Sequence, residues 1–351
     1  MSDSDLRLEF KFADYGTPFD PAPDTLVLDV GMKAIPGVID HHHPEAEAEC
    51  ATSLIAKYPG LVLDHIRPLS SPAERRLTVI THRLPDFDAL AAIFLSLRLI
   101  ETGRFDPAMT ALAAYTKTVD SSTLPPDIDL AATPYAVLRA LFAGARKSEE
   151  EINRDRLDEG LKFMRFLHAR ASEGMDIVEN KRLFRGLDRY ERAVRKVGED
   201  HQYYLSDALR SPKFTLSLPR IDGSGRKTID GLSVENPHCF LLKEWARRDS
   251  THAPGGRGFS FVMAQYGTSR FILGVDPAAG VNLRGLGSIL NEKERTRRAE
   301  RGNPPGPPWY EGNCPFFGHR IVDAPRDDSR LDPAEVLEAV LTFGLGRRVS
   351  P

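Results

Sequence analysis

The chain is poor in cysteine and tryptophan and has no long apolar run. Its three cysteines, Cys50, Cys239 and Cys314, are odd in number, far apart and outside any metal-ligand spacing. That pattern excludes a disulfide framework and a thiolate zinc site, and leaves reduced, buried thiols. No stretch approaches the roughly 20 apolar residues that a membrane span needs, so no membrane partner is expected. The N-terminus, MSDSDLRLEF, carries acids where an export signal would carry a basic region and then an apolar one; the expected compartment is the cytoplasm. Nor is there a large charge of either sign, since 47 basic side chains face 50 acidic ones. Proteins of long nucleic acids show a clustered basic face and stacking aromatics. With two tryptophans and no such face, this chain is expected to take small ligands.

What is present is a globular composition, 41% hydrophobic and 28% charged over 351 residues, a length that favours two lobes and a cleft. Charge is uneven along it. Residues 1–200 hold 26 basic and 33 acidic side chains, and residues 201–351 hold 21 and 17. The mildly basic second half suits a small phosphorylated ligand.

Residues 1–24 are polar and Pro-rich and read as an arm. The runs TLVLDV, PGVID, LVLDHI (Leu61 to Ile66) and RLTVITH (Arg76 to His82) read as strands, and AEAECATSLIAKY, DALAAIFLSLRLIETG and ALAAYTKTV as helices. Their alternation predicts an α/β fold with a mostly parallel sheet and flanking helices over residues 1–145. Dense charge with apolar residues at helical spacing predicts a helical connector over 146–207. A smaller α+β lobe follows over 208–351, with KFTLSLP, FSFVMAQY and RFILGVD as antiparallel strands.

Chemistry concentrates at the strand ends. TLVLDV and PGVIDHHHPE place Asp29, Asp40 and His41 to His43 where loops at the carboxyl ends of a parallel sheet line a crevice. RLTVITHRLPDFD places His82, Asp86 and Asp88 at another such end, and Asp120 follows in TKTVDSS. Each has an ordinary alternative: an aspartate before an apolar helix is a normal N-cap, a histidine run can be a solvated loop, and Asp120 can be a turn residue. Together, however, Asp29, His41, His82, Asp86, Asp88 and Asp120 supply what two divalent metals need, a bridging carboxylate with terminal acids and imidazoles. A carboxylate-rich shell suits manganese, or magnesium, better than zinc.

These motifs resemble those of the DHH phosphoesterase superfamily, which includes manganese pyrophosphatases, exopolyphosphatases, nano-RNases and single-strand exonucleases. Its H-x-x-x-D-x-D motif is matched by HRLPDFD, its strand-end aspartate by VLDVG, its DHH by IDHHHPE, and its loop aspartate by Asp120. The order is permuted, because HRLPDFD here follows DHH. A sheet tolerates this, since each motif still ends a strand. The resemblance implies that His82 and Asp86 bind one metal, that Asp88, His41 and Asp120 bind the other, and that Asp29 bridges them. It further implies that Asp40 orients a histidine and that His42 contacts substrate phosphate. In the second lobe it points to Arg284, in GVNLRGLGS, and to His319 and Arg320, in PFFGHR, as substrate-binding residues.

The expected activity is a two-metal phosphohydrolase or phosphodiesterase acting on a small phosphorylated or nucleotide substrate, with Asp29, Asp40 and His42 in catalysis. A short-oligonucleotide exonuclease is the alternative within the enzymes. A non-catalytic nucleotide- or metal-binding sensor or scaffold is the alternative outside them. A homodimer is left open.

Overall fold

The computed structural model describes residues 7–66, 76–144, 148–180 and 182–345. The chain divides into two compact units, Met1–Arg195 with Cys314–Phe316, and Lys196–Asn313 with Phe317–Pro351. Both mix helix and strand, and the fold is α/β in content.

The first unit is built on five strands: β1 (Arg7–Ala13), β2 (Thr25–Leu28), β3 (Ala34–Ile35), β4 (Val38–Ile39) and β5 (Arg76–His82), in the order β1-β5-β2-β4-β3. The pairings β1 with β5, β5 with β2 and β2 with β4 are parallel; only β3 with β4 is antiparallel. Central β2 is buried on both faces, which is why TLVL is a continuous apolar run and not an alternating one. Helices α1 (Ala51–Lys57) and α3 (Phe87–Thr102) pack on the sheet, and α4 (Pro107–Asp120) and α6 (Glu149–Ser172) pack on α3. Helices α2 (Gly60–Ile66) and α5 (Pro134–Phe142) complete the unit's helices among the described residues.

Two expectations fail here. LVLDHI is the helix α2, with only Val62 buried. A short apolar run does not distinguish a strand from a helix, and the place beside β2 that it would have filled is taken by β4. Residues 7–13 are not arm but the edge strand β1, whose register runs from Arg7 opposite Arg76 to Ala13 opposite His82.

Helix α7 (Asp188–Arg210) straddles the boundary between the units. The second unit holds β6 (Lys213–Pro219), β7 (Arg226–Glu235), α8 (Leu242–Arg248), β8 (Phe261–Tyr266), β9 (Arg270–Val275), α9 (Leu286–Glu300), β10 (Tyr310–Glu311), β11 (Ile321–Asp323) and α10 (Pro333–Gly344). Its sheet runs β10-β11-β9-β8-β7-β6. One face, with Phe261, Met263, Phe271 and Leu273, packs on Leu286 and Leu290 of α9 and Val336 and Val340 of α10. The other, with Val234, Val262 and Ala264, packs on Tyr204 and Ala208 of α7 and on Leu242 and Ala246 of α8. The expected strands form as β6, β8 and β9, and β8 with β9 is antiparallel as expected; β7, which the sequence reading missed, pairs antiparallel with β6 and parallel with β8. A parallel pair needs a crossover, and α8 lies within it. Among the described residues no helix is long and apolar enough to cross a membrane.

Helices α3 and α6 approach closely because Gly160 has no side chain. A Cβ there would meet Leu90 Cδ1 at 2.4 Å. We predict that Gly160→Leu destabilises the first unit by at least about 1–3 kcal/mol through overpacking, read as a lower denaturation midpoint. An unchanged midpoint would mean the two helices separate freely.

Candidate metal centre

Asp29 follows β2 directly and takes a left-handed backbone, φ +60°, that aspartate tolerates better than most residues. Its N–H donates to the Ile39 carbonyl at 2.9 Å, locking the end of β2 to the end of β4. Its two oxygens then face different partners. Oδ2 lies 3.2 Å from His82 Nε2, and Oδ1 lies 3.5 Å from His41 Nδ1 and 3.7 Å from His42 Nδ1. The carboxylate thus divides its oxygens between the His82 side and the His41–His42 side of the centre.

Asp29, His82 and Asp86 form one group whose donor atoms lie within 4.8 Å of one another, and His41, Asp88 and Asp120 form a second; Asp29 also groups with Asp40, His41 and His42. His82 ends β5, and its Nδ1–H donates to the Arg83 carbonyl at 2.8 Å, which aims Nε2 at Asp29 and Asp86. Asp86 does cap α3: its Oδ1 accepts from the Asp88 and Ala89 amides. The same Oδ1 lies 3.8 Å from His82 Nε2, so the oxygen that caps the helix is also the one on the His82 side, and Oδ2 takes no part in the cap. Asp88 has a second task that its sequence gave no hint of. Its oxygens accept from the Ala51 and Thr52 amides at 2.8 and 3.0 Å, pinning the start of α1 to the centre.

Asp120 is the last residue of α4, where the helix dipole disfavours a negative charge. Its Oδ2 is buried, accepts no hydrogen bond, and lies 3.5 Å from His41 Nε2. Asp29 Oδ1 is likewise buried and accepts none. Leaving such oxygens unsatisfied is costly, and a cation satisfies them. Ligands sharing an ion at bonds of about 2.1 Å lie about 3.0–3.4 Å apart; the Asp29 Oδ2 to His82 Nε2 separation, 3.2 Å, falls in that range, the others are 3.5–3.8 Å, and Asp29 and Asp120 face different nitrogens of His41. The buried Asp and His groups can hold a metal ion.

Electrostatics point the same way. Burial, then the charge of Asp88, pushes the Asp29 carboxyl up to about 8. Burial and neighbouring acids also raise Asp88 and Asp120. Asp40 is different, held low despite its burial by hydrogen bonds from His42 and the Met32 amide. It accepts from His42 Nδ1 at 2.7 Å, and the His42 imidazole is correspondingly raised against the effect of burial. Burial instead drives the His41 imidazole well below its ordinary value.

Two rings at the centre escaped sequence reasoning. Tyr15 stacks on His82 at 4.1 Å and places its hydroxyl 3.1 Å from Nε2, and Phe316 lies 4.9 Å from the His41 ring. Neither sits in a motif, although Tyr15 closely follows the unrecognised strand β1. His43 is paired with Glu45 at 3.5 Å and stands outside the donor groups.

Arg284, His319 and Arg320 belong to the second unit. Leu283, beside Arg284, donates its N–H to the His319 carbonyl at 2.8 Å. His319 has a left-handed backbone, φ +59°, and its buried Nδ1 lies 3.7 Å from Glu311. Arg320 donates from Nε to the Phe317 carbonyl at 2.7 Å.

A carboxyl with a raised pKa keeps a proton that the unfolded chain has already lost, so its contribution to stability is lost as pH rises towards the folded value. Asp29, His42 and His82 all act in this sense. His41 acts oppositely, but its effect is complete above its ordinary value of 6.5. We predict that in EDTA the melting temperature falls between pH 6.5 and pH 8, and that Mn2+ abolishes the fall by taking the place of the protons. A metal-free melting temperature that is flat or rising across that window would contradict this electrostatic description. No family model, curated protein or solved structure matches the chain.

Proposed function

We propose that the protein is a two-metal phosphohydrolase acting on a small phosphorylated or nucleotide substrate, with manganese as the best-suited ion and magnesium as its substitute. The observation that carries this reading is the Asp29 carboxylate, with one oxygen turned to the His82–Asp86 group and the other to His41. When bound, a cation pair offsets phosphate charge and makes water a nucleophile at neutral pH. Hard oxygen donors with two imidazoles and no thiolate suit manganese or magnesium; the nearby Cys50 is buried with its thiol pKa pushed well up by that burial.

The chain's own residues have separable tasks in this reading. Asp29 fixes the spacing of the two groups. Asp40, ionised and buried, holds His42 by Nδ1, so that a protonated imidazole is available to donate to a phosphate oxygen as charge develops in the transition state. His82 is kept in one tautomer by the Arg83 carbonyl.

We predict that a panel of phosphate monoesters, diesters and anhydrides with Mn2+ contains a substrate, and that Asp29→Asn lowers its turnover at least about 100-fold. Asparagine is chosen because it tolerates the left-handed backbone at this position. Equal hydrolysis by the wild type and the variant would remove this centre from the reaction.

A further inference from the structure

Tyr15 reaches the centre from a turn that the end of β5 holds in place. The Ala13 carbonyl, at the end of β1, accepts from the Arg83 N–H at 2.9 Å, and the Asp14 carboxylate lies 3.2 Å from Arg83 Nε. The chain then reverses. The Asp14 carbonyl accepts from the Thr17 N–H at 3.1 Å and from the Thr17 hydroxyl at 2.7 Å, and Gly16 supplies a left-handed residue, φ +66°. Tyr15 lies inside this turn, and Arg83 is the residue after His82. Bonds on neighbouring residues therefore bring the two rings together, and their stack at 4.1 Å is built into the fold.

A phenylalanine would stack equally well, so the hydroxyl calls for its own account. It lies 3.1 Å from His82 Nε2, the nitrogen that the metal reading gives to an ion, while His82 Nδ1 is committed to the Arg83 carbonyl. A ring nitrogen whose lone pair is on a cation neither donates to a hydroxyl nor accepts from one. This hydrogen bond and an ion on Nε2 therefore exclude each other. At a bond of about 2.1 Å to nitrogen the ion stands within about 5 Å of the hydroxyl, and an oxygen held on the ion's near side comes within hydrogen-bond distance of it. The Tyr15 ring is also edge-on to His42, with centroids 5.7 Å apart at 71°. His42 and Tyr15 thus flank one approach to the Asp29 carboxylate. Tyr15 is 43% exposed where His82 and Asp29 are buried, so it stands on the solvent side from which a substrate arrives.

We propose that Tyr15 is a catalytic residue whose hydroxyl donates a hydrogen bond to an oxygen of the reacting phosphoryl group. The proposal rests on the phosphohydrolase reading of the centre. The hydroxyl keeps its proton throughout; its partner changes from His82 Nε2 in the metal-free protein to a phosphoryl oxygen in the loaded one. With the His42 imidazole it makes two donors at one approach, so charge that builds on the phosphoryl oxygens is met from both residues. Because the stack on His82 fixes the ring, the hydroxyl is aimed before the substrate arrives, and little reorganisation accompanies the reaction.

The test is calorimetric binding of Mn2+ to the full chain, and then of orthovanadate to the Mn2+-loaded chain, in the wild type and in Tyr15→Phe. Vanadate accepts a fifth oxygen ligand and so stands in for phosphorus under attack. Tyr15→Phe keeps the ring and its stack and removes one oxygen. It should bind Mn2+ with the wild-type stoichiometry and with an affinity within about twofold. Vanadate should bind it at least about 10-fold more weakly, the scale of one hydrogen bond to a charged group. Equal vanadate affinity in the two proteins would overturn the proposal, as would a wild type that takes up Mn2+ but no vanadate. A loss of Mn2+ affinity in Tyr15→Phe would overturn it differently, by showing that the hydroxyl only holds His82 for the ion. If the wild type takes up no divalent ion, the metal reading fails and the proposal falls with it; the Mn2+ titration, done first, keeps that failure apart from the others.

Discussion

Mutual repulsion among buried carboxylates is the constraint around which the first unit is organised. Asp29 and Asp88 are almost wholly inaccessible, and the inward oxygen of Asp120 is buried beside them. Burial raises all three, and neighbouring acids add to it: Asp88 and Asp86 at Asp29, Asp86 at Asp88, and Asp88, Asp86 and Asp29 at Asp120. Such a cluster is tolerable only with protons or with cations in it. Hydrophobic burial alone would have selected apolar side chains at these positions, as it has at Leu26, Val27 and Leu28 immediately before them.

The secondary structure delivers these groups from separate directions. The ends of β2, β4 and β5 bring Asp29, the Asp40–His42 pair and His82. The start of α3 brings Asp86 and Asp88, and the end of α4 brings Asp120. Helix ends matter to the balance. Amides at the start of α1 stabilise Asp88, and those of α3 stabilise Asp86, whereas the end of α4 works against Asp120. The least compensated oxygens, Asp29 Oδ1 and Asp120 Oδ2, lie on opposite sides of His41. The positive charge that the cluster lacks is therefore needed around that imidazole.

Much of this was legible because parallel sheets tie chemistry to strand ends. An apolar run that stops at an aspartate or histidine announces such an end, and Asp29, Asp40 and His82 could be placed without coordinates. Asp29, His41, His82, Asp86, Asp88 and Asp120 lie in donor groups that also take in Asp40 and His42. What stayed hidden depends on contacts distant in sequence. Asp88 clamps α1 from 36 and 37 residues away. Tyr15 reaches His82 only because β1 pairs with β5, and a Pro-rich neighbourhood disguised that strand. LVLDHI was misread because its composition fits either a strand or a helix, and only occupancy of the sheet decides.

The central proposal is that two divalent ions share Asp29. Electron paramagnetic resonance of the Mn2+-loaded protein tests it most directly, because two manganese ions about 3.5–4 Å apart across a carboxylate are exchange-coupled. The account predicts the closely spaced multiline spectrum of a coupled pair at two equivalents of Mn2+, collapsing to an uncoupled signal in Asp29→Asn. A plain six-line spectrum of isolated Mn2+ at every loading would contradict it.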